Sequence, residues 1–334
     1  MDNSKNIRLK YASIWGIFFL SLFFISSCGL DSDYIYVKGR AQGTTFTIKY
    51  LHDEFVDLSK PLDSIFRVID NSLSTYDPNS IISKINRNEE MELDEHLINV
   101  LNASSQVYTE TNGAFDITVG PLMKAYTFNA EEHKLIAKES LDSLLFFVGM
   151  EKVGIYGNEL SKLHRNVTLD VNAIAQGYTV DVLSEFLESE GIENYMVEVG
   201  GELRAKGVNE YGKVWTIGIE DPIASTVAER VVQKEVRVDN TGICTSGNYR
   251  KYFIADGQKY GHSINPKTGM PAKNSLVSAT VMHSSAMYAD AYATAILVQG
   301  LEKTKEFLES KPEMKVYLLY YNADGELDVY STLD

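Results

Sequence analysis

Three features of the 334-residue chain predict an α+β fold, a mixed and mostly antiparallel sheet with helices packed on it. Runs that alternate apolar and polar residues with a period of two are interleaved with runs of helical period. The interleaving lacks the regular strand–helix–strand rhythm that builds a parallel sheet. The C-terminal "MKVYLLYYNADGELDVYS" reads as an antiparallel hairpin turned at Asp324-Gly325.

In chain order, the first segment has to be set aside before the fold is read. "MDNSKNIRLKYASIWGIFFLSLFFISSCGL" has Lys5, Arg8 and Lys10 ahead of an apolar run too short for an ordinary membrane span, the pattern of a secretory signal. It ends in Ile25-Ser26-Ser27-Cys28-Gly29, which resembles a bacterial lipobox, with cleavage before Cys28 and lipidation of that cysteine. An uncleaved N-terminal anchor is the alternative. The expected organisation is a signal peptide over 1–27, a lipidated tether over 28–37 and one domain over 38–334. The body would then be extracytoplasmic, lipid-anchored to a bacterial membrane on its periplasmic side. With Cys28 lipidated, Cys244 has no intrachain partner, so the fold must stand on its core. The formal charge of −15 becomes more negative once the basic leader is gone, which argues against nucleic acid as a partner.

"YIYVKGRAQGTTFTIKYL" reads as a strand pair. Leu62, Ile65, Phe66, Ile69 and Leu73 recur at helical spacing behind Pro61, which suits a first turn. A second helix fits 94–111, with Leu97, Ile98, Leu101 and Val107 inward and Gly113 just past its end. A third runs from about Ala175 to Glu190. "NYMVEVGGELRAKG", "VWTIGIEDP" and "LVSATVMH" read as strands, with Trp215, Ile217 and Ile219 on one face. The last strand feeds "SSAMYADAYATAILVQG", a helix apolar enough to be buried. It nevertheless carries Asp290 and Thr294, four apart and therefore on one face. A buried carboxylate needs compensation.

Four stretches hold more glycine and polar residues than a plain core requires: 112–122, 169–181, 197–207 and 242–271. Each has a bland explanation: a bulge at Gly200-Gly201, a helix cap at Asp170, a turn at Asn265-Pro266, a structural role for His262. Taken singly, none decides function.

Taken together and in order, "QGTTF", "LSTYDPNSIISKIN", "GAFDITVGPL", "LDVNAIAQGYTVD", "VEVGGELRAKG", "TSGNYRKY", "HSINPKTGMP" and "ADAYATA" resemble the successive signatures of the ApbE family, over roughly residues 38–330. The resemblance implies an ApbE-like (T-fold-like) architecture and an FAD:protein FMN transferase. In such an enzyme a Thr or Ser hydroxyl of a target protein attacks the flavin-side phosphorus of FAD, the substrate, and AMP leaves. The implied cofactor is Mg²⁺, with the carbonyl of Ala173, Asp290 and Thr294 as ligands. Implied flavin contacts are Gln42, Tyr76, Ala114, Phe115, Asp116, Asp170, Gln176 and Ile264. His262 and Asp290 are the catalytic candidates, and Asp181 is expected to be structural. Ala289, Ala291, Ala293 and Ala295 are expected to give a phosphate clearance. Gln176 stands where the family usually has Lys, and in some members Glu; in place of a lysine it exchanges a positive charge for neutral hydrogen bonds. The implied partners are FAD, flavin-carrying electron-transfer proteins of the Nqr and Rnf type, and a membrane reached through the lipid. An FAD pyrophosphatase and a non-catalytic flavin-binding lipoprotein are the alternatives.

Overall fold

The computed structural model describes residues 34–52, 56–126, 136–225, 231–248, 252–255 and 258–333. The expected signal segment, Cys28 and most of the expected tether lie outside the described residues. β1 (Ile35–Ala41) and β2 (Thr44–Tyr50) form a hairpin whose two-residue turn, Gln42-Gly43, has φ of 51° and 73°. Such turns match the twist of the strands they join. The strand starts inside the expected tether of 28–37. Ile35 and Val37 pack on the core and the Tyr34 ring meets Trp215 edge-on, so apolar burial holds these residues in the domain.

Helices α1 (Ser59–Leu73), α2 (Ile81–Asn86) and α3 (Glu95–Glu110) follow. Leu62, Phe66, Ile69 and Leu73 bury one face of α1, and the Asp94 carboxylate caps α3 by accepting the Leu97 N–H at 2.9 Å. A satellite of α4 (Gly120–Ala125), α5 (Lys138–Leu145) and the hairpin β3 (Val153–Tyr156)–β4 (Glu159–Lys162) leads to α6 (Ala175–Ser189), which stops at Gly191 with φ of 80°. The hairpin β5 (Tyr195–Val199)–β6 (Glu202–Lys206) comes next. β7 (Trp215–Glu220) pairs with β8 (Val232–Val238), and β9 (Thr241–Gly247) precedes the small hairpin β10 (Tyr252–Ala255)–β11 (Gln258–Gly261). The chain closes with β12 (Leu276–His283), α7 (Ala286–Gln299), α8 (Leu301–Glu309), β13 (Lys315–Tyr321) and β14 (Leu327–Ser331).

Among the described residues the main sheet has eight strands in the order β1-β2-β5-β6-β9-β12-β13-β14, every neighbouring pair antiparallel. Alternation along the strands divides two cores. Val197, Cys244, Val281 and Leu318 face α1, α3, α6 and α7, whereas Leu203, Ile243, Tyr317 and Leu319 face the β7–β8 hairpin through Trp215, Ile219 and Val238. The expected α+β class and its antiparallel sheet are therefore present. α7 is the central helix of the first core. Ala289, Ala291, Ala293 and Ala295 are all fully buried. This corrects their reading as clearance for a phosphate: residues two apart on a helix point to opposite sides, so these methyls admit the sheet and neighbouring helices to the α7 backbone.

Candidate active site

Two hairpin tips meet the start of α6. Gly200-Gly201 closes β5–β6 as a two-residue turn with φ of 68° and 116°, not as a bulge within a strand, and the Gly200 N–H donates to Thr45 O at 3.0 Å. Only glycine serves here. A Cβ at position 200 would lie 2.8 Å from Gln176 Nε2 and 3.0 Å from Thr44 Cγ2, besides the positive φ. The neighbouring tip sends Gln42 Nε2 to Thr179 Oγ1 on α6 at 2.9 Å, while Gln42 Oε1 is buried with no hydrogen-bond partner. A buried, unsatisfied amide oxygen is a ready acceptor for a ligand N–H.

The helix pair α6–α7 supplies the oxygen donors, and its register follows steps of four residues. The Asp181 carboxylate accepts from the start of α7: Ser285 Oγ at 2.6 Å, the Ala286 N–H at 2.9 Å and the Met287 N–H at 3.0 Å. It thus caps a helix that is not its own, with Arg204 Nη1 3.3 Å from the Oδ1 that accepts the Ala286 N–H. One turn back on α6, the Gly177 N–H donates to Asp290 Oδ2 at 3.1 Å. A Cβ on Gly177 would sit 2.4 Å from Ala286 O and 2.8 Å from Asp290 Cβ, so glycine is what lets the helices approach. The first helical bond of α6 is Tyr178 N–H to Ile174 O, and the Gly177 N–H is spent on Asp290. The Ala173 carbonyl is left outside the helical ladder.

One turn beyond Asp290 on α7, Thr294 Oγ1 lies 3.0 Å from Ser246 Oγ of β9. The compensation that a buried Asp290 requires in the protein itself is thus one backbone N–H. It is insufficient, since burial holds the carboxyl well above the usual carboxylate range. One carboxylate, one hydroxyl and one freed carbonyl make a set of hard oxygens that fits a small divalent cation. Among the described residues no three of His, Cys, Asp or Glu converge into a cage.

The remaining candidates lie where two extended segments run side by side. The Asp170 N–H donates to Ile117 O at 2.7 Å, and Val119 pairs with Thr168, which brings Asp116 and Asp170 into adjacent segments. Asp116 accepts the Thr118 hydroxyl at 2.6 Å and the Thr118 N–H at 2.8 Å, yet burial pushes its carboxyl up to about 6. Asp170 accepts the Asn172 N–H at 3.0 Å and is likewise raised by burial. Tyr76, 84% exposed, stands close enough to Asp170 to feel its charge and offers an open ring face. Phe115 and Ile264 are core side chains, Ile264 in a satellite cluster with Leu122, Leu141 and Val148, so their main chain is what they present to a ligand. Ala114 is half-buried between Gly113 and Phe115, and Gly113 lies against Lys267 of the Asn265–Gly269 turn. His262 directly follows β11 and is half-buried.

Sequence reasoning missed Ser246 and Thr118. Thr118 was discoverable as the i+2 partner of an aspartate. Ser246 was discoverable only once its strand was known to face α7.

The raised Asp116 gives a pH test. Its folded pKa lies above the unfolded value, so its contribution is complete at about pH 4 and is lost as pH rises through about 6. Asp116→Asn keeps the Oδ1 acceptor for Thr118 and removes the charge. The variant is expected to be more stable by about 2–3 kcal/mol at pH 8 and unchanged at pH 4. Thermal melts at both pH values measure this, and an equal shift at both would overturn it.

By its fold and by the enzymes it resembles, the protein is a transferase. Residues 42–318 match the model of the ApbE family, and the chain belongs to that family. The FAD:protein FMN transferase of Vibrio cholerae serotype O1 is 35% identical over 320 residues, covering 93% of this chain and 95% of its own. That of Haemophilus influenzae is 34% identical over 316 residues, 90% of each chain. Among solved structures, the flavin transferase ApbE from Vibrio cholerae matches with a TM-score of 0.81 at 35% identity, over 90% of this chain and 97% of that one. The apo form of Pseudomonas stutzeri flavinyl transferase ApbE matches with a TM-score of 0.80 at 30% identity, over 90% and 94%.

Proposed function

We propose that the protein transfers the FMN portion of FAD to a Thr or Ser hydroxyl of a target protein, with release of AMP. The observation that carries this reading is Asp290, a buried carboxyl bonded to the Gly177 N–H, with Thr294 one turn along α7 and the Ala173 carbonyl freed from α6. These three oxygens would hold Mg²⁺, which prefers such donors and keeps positions open for phosphate. The chemistry it supplies when bound is neutralisation of pyrophosphate charge and polarisation of the phosphorus.

The chain's own residues do the rest. Gln42 Oε1 accepts a ring N–H, Asp116 and Asp170 take further ring or ribose donors, and the exposed Tyr76 ring covers a flat face of the substrate. Gln176, set over the Gly200 turn, adds neutral hydrogen bonds. The attacking hydroxyl oxygen forms a new P–O bond to the flavin-side phosphorus while that phosphorus loses its bridging oxygen to AMP. His262 takes the hydroxyl proton. The target would be a flavin-carrying electron-transfer subunit of the Nqr or Rnf type, met on the outer side of a membrane to which lipidated Cys28 anchors the enzyme. The leader and the Cys28 pattern support that placement.

Incubation of the soluble domain with FAD, Mg²⁺ and such a subunit, read by mass spectrometry, tests the proposal. An acceptor heavier by an FMN phosphoester is the expected product. Free FMN and AMP beside an unmodified acceptor would make it a pyrophosphatase, and unchanged FAD a flavin binder.

A further inference from the structure

Threonines inside the helices of this protein share one habit, and Thr294 departs from it. Thr109, Thr179 and Thr304 each donate their hydroxyl back one turn, to the carbonyls of Ser105, Ala175 and Gly300 at 2.9, 2.8 and 2.7 Å. That bond is the default for a helical threonine because the carbonyl four residues back is in reach and otherwise under-satisfied. Thr294 turns instead across to the sheet, where Ser246 Oγ lies 3.0 Å from its Oγ1. Ser246 reaches it because alternation along β9 puts Cys244 and Ser246 on the face that packs on α7. Thr245 points the other way and bonds Thr280 at 2.8 Å.

We infer that Ser246 is a positioning residue for the cation site: it holds the Thr294 hydroxyl away from the α7 backbone so that an oxygen lone pair is directed at the metal. The inference rests on the reading of Asp290 and Thr294 as ligands. A hydroxyl that gives a lone pair to a cation becomes a stronger donor, and its proton needs an acceptor. Ser246 Oγ is that acceptor, and its own hydrogen is then free for a phosphate oxygen held beside the cation. Without Ser246, Thr294 rotates to the pattern of the other helical threonines, bonding the Asp290 carbonyl, and the lone pair leaves the site. Partners that orient a ligand in this way change metal affinity by about 10–100-fold.

The test is a Mn²⁺ titration, followed by electron paramagnetic resonance, of the whole protein saturated with FAD and lacking acceptor. Ser246→Ala is expected to weaken Mn²⁺ binding about tenfold with its melting temperature kept, and Ser246→Thr to restore the affinity. Thr245→Val, which alters the same strand on its other face, is expected to bind like the native chain. In the metal-free Ser246→Ala protein, the Thr294 χ1 angle, read by three-bond NMR couplings, should move to the rotamer that bonds the Asp290 carbonyl. Mn²⁺ affinity within twofold of native in Ser246→Ala, while Asp290→Asn loses the metal, overturns the role of Ser246 and leaves the cation reading standing. Native Mn²⁺ affinity in Asp290→Asn overturns the cation reading and this inference with it.

Discussion

Asp290→Asn is expected to give a protein that melts higher than the native chain in the presence of a chelator and transfers FMN at least about 100-fold more slowly. The two effects have one cause. Asp290 is 5% exposed on a helix whose other buried positions are alanine, tyrosine and aliphatic residues, and its carboxylate accepts the Gly177 N–H at 3.1 Å. Burial raises its carboxyl pKa, which means that at neutral pH the ionised form is held at a cost. Asparagine keeps the oxygen for Gly177 and carries no charge, so that cost disappears. A gain of about 1–2 kcal/mol would raise the melting temperature by about 2–3 °C in a domain of this size. The same charge is the one full negative charge among the three oxygens offered to a cation, and its removal leaves only neutral donors. Added Mg²⁺ should raise the melting temperature of the native protein and not that of the variant. A variant that keeps more than a tenth of the activity would remove Asp290 from the site.

The second large effect is on stability. Asp181→Ala should cost about 3–5 kcal/mol, because it strips three hydrogen bonds from the first turn of α7 and takes a partner from Arg204, whose side chain is 12% exposed. Arg204 retains Glu188 at 3.5 Å and Asn240 at 3.2 Å, which keeps the cost at the lower end of that range. Ser285→Ala, which removes the helix's own cap and one of those bonds, should cost about 1 kcal/mol. Urea unfolding of the two variants measures the difference. Equal losses would mean that α7 is held by its packing and not by the carboxylate on α6.

Much of the candidate site is legible in the sequence alone. Asp290 and Thr294 lie four apart in a run of helical character, and the spacing alone puts them on one face. Helix ends were legible too, because Pro61 and Gly113 act through local geometry. Asp181 read as structural, and in the fold its carboxylate caps the start of α7. Its partners, three groups more than a hundred residues away, could not be read. The tether boundary went astray for a similar reason: whether Ile35 and Val37 belong to a strand depends on what they pack against. The alanines of α7 went astray because a helix buried on all sides has no polar face to orient it.

Period-two and period-3.6 patterns, turn chemistry and the i, i+4 pairing of Asp290 with Thr294 are properties of neighbouring residues, and the sequence by itself determined them. The α6–α7 register, the freed Ala173 carbonyl, the joined tips at Gln42 and Gly200 and the turn of Thr294 toward Ser246 were decided only by the tertiary structure. Each joins groups far apart in the chain, brought to hydrogen-bond distance by burial of the core, and burial is a property of the whole fold.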